Sequence, residues 1–150
     1  MAGKYFEEFA VSQTFVHEIR RTGTDMDNIL FSALTYNPAV IHIDHEHAKT
    51  TEFGRPLINS IFTLGPVVGL SVQDTTLGTT VGNLGWEEVA FPKPVFAGDA
   101  IRAETRIVAL RDSKSGPSQG IVTFEHRGIN QREEVIATCR RVALMLRKPT

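Results

Sequence analysis

The stretch FGRPLINSIFTLGPVVGLSV, residues 53–72, decides the fold. From Leu57 onward its apolar residues Leu57, Ile58, Ile61, Phe62, Leu64, Val67, Val68, Leu70 and Val72 fall all round a helical wheel rather than along one stripe. That is the pattern of a helix enclosed by other structure. Gly54-Arg55-Pro56 marks its start, because proline's fixed φ and missing N–H suit a first helical turn. The unpaired backbone N–H groups of that turn are expected between Leu57 and Ser60, where they can hold an anion or a polarised carbonyl oxygen. Pro66 removes a hydrogen bond one turn back and predicts a kink or a bend. The run is too short, and too interrupted by Asn59, Ser60 and Thr63, to span a membrane.

On the C-terminal side the character changes to strands: Trp86 to Phe91, Ala100 to Leu110, Gly120 to Asn130 and Glu134 to Leu146, separated by turn-rich segments. Ile101, Ala103, Thr105 and Ile107 alternate with Arg102, Glu104, Arg106 and Val108, which predicts one covered and one solvated face. Successive hairpins are the economical connection. Polar Gln73–Thr80 reads as a loop over one end of the helix. On the N-terminal side, Tyr5 to Val16 reads as a segment with a short strand. Thr22–Asp27 caps a short helix whose apolar face is Ile29, Leu30, Phe31 and Leu34. Ala39–Asp44 is short and β-branched, and Asp44 caps a further helix through Ala48, Thr51 and Phe53. The result is an α+β fold in one domain, residues 1–150, with a curved antiparallel sheet around a long buried central helix.

The chain has 150 residues, 41% hydrophobic and 22% charged, with a formal net charge of -1. That balance gives no pull toward nucleic acid or anionic membrane. The opening MAGKYFEEFAV lacks the features of a secretory signal, and the lone Cys139 has no internal disulfide partner, so a cytoplasmic setting is expected. Cys139 reads as a small packed thiol rather than a nucleophile.

His42, between two isoleucines, sits at the junction of the short segment and the next helix. His42, Asp44, His45 and His47 are all competent metal ligands, but in a helix capped by Asp44 the last two leave about 200° apart, so no metal site is expected. Trp86, Phe91 and Phe96 read as sheet packing, and Arg102, Arg106, Arg111 and Lys114 as a solvated face rather than a phosphate site.

Three motifs in order carry a family resemblance: Asn37-Pro38-Ala39-Val40-Ile41-His42-Ile43-Asp44, Phe53-Gly54-Arg55-Pro56-Leu57-Ile58-Asn59-Ser60, and Phe91-Pro92-Lys93-Pro94-Val95-Phe96-Ala97-Gly98-Asp99. Together they make the chain resemble the MaoC-like dehydratases, which include (R)-specific enoyl-CoA hydratases and have the hot-dog fold. The resemblance implies reversible addition of water to a 2-enoyl thioester, with coenzyme A arriving as part of the substrate and no separate cofactor. It implies His42 as the base, Ser60 as a backbone N–H donor to the thioester oxygen, and Asn59 and Gly54 beside the substrate. The family's motif aspartate is missing: Asn37 stands in its place by counting from His42, and Thr35 by matching the Asn-Pro pair. An amide orients water but takes no proton from it, so Asn37 is expected to orient the water. Asp44 reads as a cap, and Glu52 as a reserve carboxylate.

Within the family, the Asn-Ser opening of the helix resembles the branch acting on small branched dicarboxylic thioesters such as mesaconyl-CoA or itaconyl-CoA. Arg55 is then the partner of a substrate carboxylate. A hot-dog thioesterase is the rival enzyme, disfavoured because Leu57–Val72 contains no Asp or Glu. A non-catalytic acyl-CoA-binding subunit is the rival from outside enzymes. The resemblance also implies a homodimer or a higher homo-oligomer.

Overall fold

A computed structural model describes residues 3–149. Its strands form one antiparallel sheet of six. Short β1 (Thr14–Val16) and β2 (Arg21–Thr22) share one edge, both paired with β4 (Ala100–Asp112). Next come β5 (Gln119–Ile129) and β6 (Val135–Leu146), and β3 (Thr80–Ala90) closes the other side on β6. The helices are α1 (Asp25–Leu34), α2 (Val40–Ile43), α3 (His45–Lys49), α4 (Ser60–Gly69) and α5 (Val72–Thr75). The alternation in β4 holds: Ile101, Ala103, Thr105 and Ile107 are buried, while Arg102 pairs with Glu104 and Arg106 with Glu125 on the outer face.

The hairpins β4–β5 and β5–β6 are those expected, but β3 pairs with β6, not with β4. The reason is the segment 91–99 after β3. Its prolines keep it extended, and it crosses the front of α4, where Ile58 N donates to Val95 O at 2.9 Å and Leu57 bridges Phe96. Asp99 anchors the end of this crossing. Its carboxylate accepts from Phe96 N at 3.0 Å, Gln131 Nε2 at 2.8 Å and Arg132 Nη1 at 2.8 Å. Burial pushes the Asp99 carboxyl up, but Arg132 and the other donors outweigh it and hold it below the ordinary range.

Because Leu57 and Ile58 are used in that extended contact, α4 begins at Ser60 rather than at Leu57. The helix packs on β4, β5 and β6. Its Val67 is fully buried over Gly128, where an added Cβ would lie 2.4 Å from Val67 Cγ2. The sheet encloses one side of α4; on the other, Ile61 is 59% exposed within the chain. Pro66 is carried inside the helix.

Three other expectations are corrected. The buried face of α1 is polar, Asn28 and Ser32, while Ile29, Leu30 and Leu34 are exposed. At Asn28 the inversion follows from the backbone groups of His42, Leu57 and Asn59 that it bonds, while Phe31, of the expected apolar face, packs edge-on against Phe62. Residues 40–43 form a helical turn instead of an extended piece, because Asn37 Oδ1 accepts from Ala39 N at 3.0 Å and turns the chain. The expected loop 73–80 is partly helical, as α5, and its last residue already belongs to β3.

Two apolar clusters fill the core, one around Phe124 and Met145, the other around Val67 and Ile136. A chain of side chains joins β1, β4, β5 and α5: His17 Nδ1 meets Asp74 at 2.7 Å, its Nε2 meets Thr105 Oγ1 at 2.8 Å, and Thr105 meets His126 at 2.9 Å. Burial holds His126 well below the ordinary histidine range.

Candidate active site

Asp44 accepts from the backbone N–H groups of Glu46 and His47 at 2.9 and 3.0 Å, so it caps α3. Those same bonds, His47's first, hold its carboxyl below the ordinary range. His42 lies at the last turn of α2, half-buried, with Nδ1 2.6 Å from the carbonyl of Leu57. A carbonyl only accepts, so Nδ1 carries the proton and Nε2 of the neutral ring bears the lone pair. Nε2 is the ring nitrogen turned away from Leu57.

Leu57 leads directly into the start of α4. Asn59 is the N-cap, its Oδ1 accepting from Ile61 N at 3.0 Å, and Thr63 N donates to Asn59 O. Among the described residues no partner takes the N–H of Ser60 or Phe62. Two backbone donors therefore point out of a ten-residue helix, at the end where its dipole favours negative charge. Beside them is a cavity of about 240 Å³ lined by Phe53, Leu57, Ser60, Thr63, Phe91 and Lys93 among others. Phe91 thus faces a hollow rather than packing in the sheet, and Trp86 lies partly exposed on β3.

The remaining candidates are distributed as follows. Asn37 uses Oδ1 on Ala39 N, and lines a separate apolar hollow with Ile29, Tyr36 and Ile43. Thr35, the alternative to it, turns its hydroxyl back to the carbonyl of Phe31 at 2.8 Å. Gly54 adopts φ +67°, a conformation that suits glycine, where the chain leaves α3. Arg55 is exposed and stacks its guanidinium over Phe96 at 3.9 Å. Among the described residues no three His, Cys, Asp or Glu side chains are grouped to hold a metal ion. Cys139 is buried, and burial pushes its thiol up to about 11, which leaves it a packing residue. No carboxylate occurs on α4.

Two residues were missed in the sequence. Lys93 sits inside a motif but was read only as part of a turn. Asn28, 1% exposed, donates from Nδ2 to the carbonyls of His42 at 2.9 Å and Leu57 at 3.0 Å, and accepts from Asn59 N at 2.8 Å. Its signal was available: Asn28 and Ser32 are polar at i and i+4 of a helix whose other faces are apolar.

Comparison with known proteins gives the family and the fold. Residues 7–129 match the family described as MaoC-like domain. Mesaconyl-CoA hydratase of Cereibacter sphaeroides is 30% identical over 149 residues, which is 99% of this chain and 43% of that protein. Beta-methylmalyl-CoA dehydratase of Chloroflexus aurantiacus is 31% identical over 134 residues, 89% of this chain and 38% of that one. The chain thus spans about two fifths of the length of these curated relatives. A solved Mycobacterium tuberculosis protein with a double hot-dog fold superposes with a TM-score of 0.87 at 19% identity, over 98% of this chain and 45% of its own. The sheet and α4 described above therefore form a hot-dog fold.

Proposed function

The chain belongs to the MaoC-like domain family, and from that premise we propose that it reversibly adds water across the double bond of a 2-enoyl-CoA thioester. One observation carries the reading: a histidine with its Nε2 lone pair available, tied through Leu57 to a helix start whose Ser60 N–H has no partner among the described residues. Nε2 of His42 takes a proton from water as the oxygen bonds to C3. Charge moving onto the thioester oxygen meets the N–H of Ser60, and the imidazolium then returns the proton to C2. Atoms and charge balance with one base and no cofactor beyond the coenzyme A of the substrate. Asn59 shapes the turn that presents Ser60, whereas Asn37, its Oδ1 bonded to Ala39 N and its side chain in a separate hollow, takes no part in this step.

The names of the two relatives support a small branched substrate with a second carboxylate. Arg55, its flat face resting on Phe96, keeps its edge for such a group; Lys93 at the cavity is the competing cation. Arg55→Met is expected to weaken a dicarboxylic substrate at least tenfold more than crotonyl-CoA; equal losses would end that assignment.

The test is hydration of crotonyl-, mesaconyl- and itaconyl-CoA, with His42→Ala alongside and thiol release monitored. His42→Ala is expected to lower kcat by roughly 10²–10⁴, the usual contribution of a general base. Thiol release would indicate a thioesterase. The absent motif carboxylate favours one other reading, an acyl-CoA-binding subunit, for which no substrate would turn over and His42→Ala would leave affinity intact. We further propose that two copies of the chain associate to complete the working unit.

A further inference from the structure

We propose that Asn28 is a positioning residue that sets the tautomer of His42: it holds the Leu57 carbonyl against the imidazole, so that Nδ1 keeps the proton and Nε2 faces the reacting water. Its effect on rate rests on the hydratase reading; its effect on the tautomer rests on geometry alone.

The orientation of the Asn28 amide follows from its neighbours. One end faces two carbonyl oxygens, those of His42 and Leu57, and the other faces the N–H of Asn59. Reversed, the amide would set oxygen against two acceptors and N–H against a donor, so only one orientation satisfies all three. The Leu57 carbonyl accepts from both Asn28 Nδ2 at 3.0 Å and His42 Nδ1 at 2.6 Å, which occupies its two lone pairs. With that oxygen fixed, the imidazole has one favourable proton placement.

The third bond extends the control to the other half of the site. Asn28 Oδ1 holds the N–H of Asn59, and Asn59 in turn caps Ile61 and begins α4. One buried side chain therefore fixes the base and the oxyanion turn relative to each other, and small displacements between such groups are costly in rate. Its position is also not what packing alone selects. Helix α1 exposes Leu30 and Leu34 and buries an amide that an apolar residue would replace if only volume mattered.

The test compares wild type with Asn28→Leu, which keeps the branched skeleton without hydrogen-bonding groups, and with Asn28→Ser, which is small enough to be tolerated if the bulkier leucine fails to fold. Long-range ¹H–¹⁵N spectra of the His42 ring report the tautomer, and turnover is measured on the same samples. Wild type is expected to show the Nδ1–H form alone. Both variants are expected to show a mixture of tautomers, with kcat lowered roughly 10- to 100-fold in Asn28→Leu, less in Asn28→Ser, and KM changed less than about threefold. A folded variant that keeps the Nδ1–H form alone, or one whose kcat stays within about twofold of wild type, overturns the proposal. If wild type hydrates no enoyl-CoA, the hydratase reading fails, while the tautomer comparison still decides this inference.

Discussion

At the scale of single residues, the site is held by side chains that satisfy backbone groups. Thr24 and Asp27 form a capping box at the start of α1, and Arg21 grips the Asp27 carboxylate at 2.6 and 3.0 Å. The Arg21 hydrogen bonds lower the Asp27 pKa from 3.8 to about 2. Because the folded value is the lower one, ionised Asp27 stabilises the fold above its unfolded pKa, and that stabilisation is lost as pH falls through about 2. Thermal unfolding of wild type and Asp27→Asn is therefore expected to show a gap at pH 5 that narrows between pH 4 and pH 2. A gap that is constant with pH would mean that the cap acts without its charge. The same region carries Asn28, so loosening α1 is expected to disturb His42 as well.

At the scale of elements, the decisive contact is α4 against β5. Val67 lies over Gly128, where a methyl group would approach to 2.4 Å. Gly128→Ala is expected to destabilise the fold by about 1–3 kcal/mol through overpacking and to lower turnover by shifting α4 and its N-terminus, measured by denaturant unfolding and by kcat. Unchanged stability would mean that Val67 moves aside without strain. How much of this arrangement was legible in the sequence depended on the range of the forces. Local signals carried far: the alternation of β4, the cap at Asp44 and the break at Pro56 each describe neighbours along the chain. The partner of β3 did not, because it depends on the route of residues 91–99 across α4. The start of α4 was misread by three residues, since Leu57 and Ile58 are as apolar as the helix but are used in extended contacts. In α1 the apolar face Ile29, Leu30, Phe31 and Leu34 sends only Phe31 inward, against Phe62, because Asn28 takes the position over the backbone groups of His42, Leu57 and Asn59. The motif residues His42, Asn59 and Ser60 come together around Leu57 and the start of α4, yet Asn28, about thirty residues before Asn59, became visible only through its hydrogen bonds.

At the scale of the whole molecule, one edge of the sheet is unfinished. Strand β3 is eleven residues long and pairs with β6 on one side, while among the described residues nothing pairs with its other side. It carries exposed Val81, Leu84, Trp86 and Val89, a length and composition that soluble proteins rarely leave open. A second copy meeting β3 about a two-fold axis would close both edges at once, since a two-fold contact uses the same patch on each copy. Trp86→Glu would then set like charges against each other near the axis and is expected to convert a dimer into a monomer, read by sedimentation or light scattering at micromolar concentration. The hydratase reading adds a second expectation. If a neighbouring copy also covers the open side of α4, where Ile61 stands exposed, the monomeric variant should lose turnover while keeping its fold by circular dichroism. A wild-type chain that is monomeric and fully active would show instead that the β3 edge stays open in the working protein, and that one unit is sufficient for the chemistry.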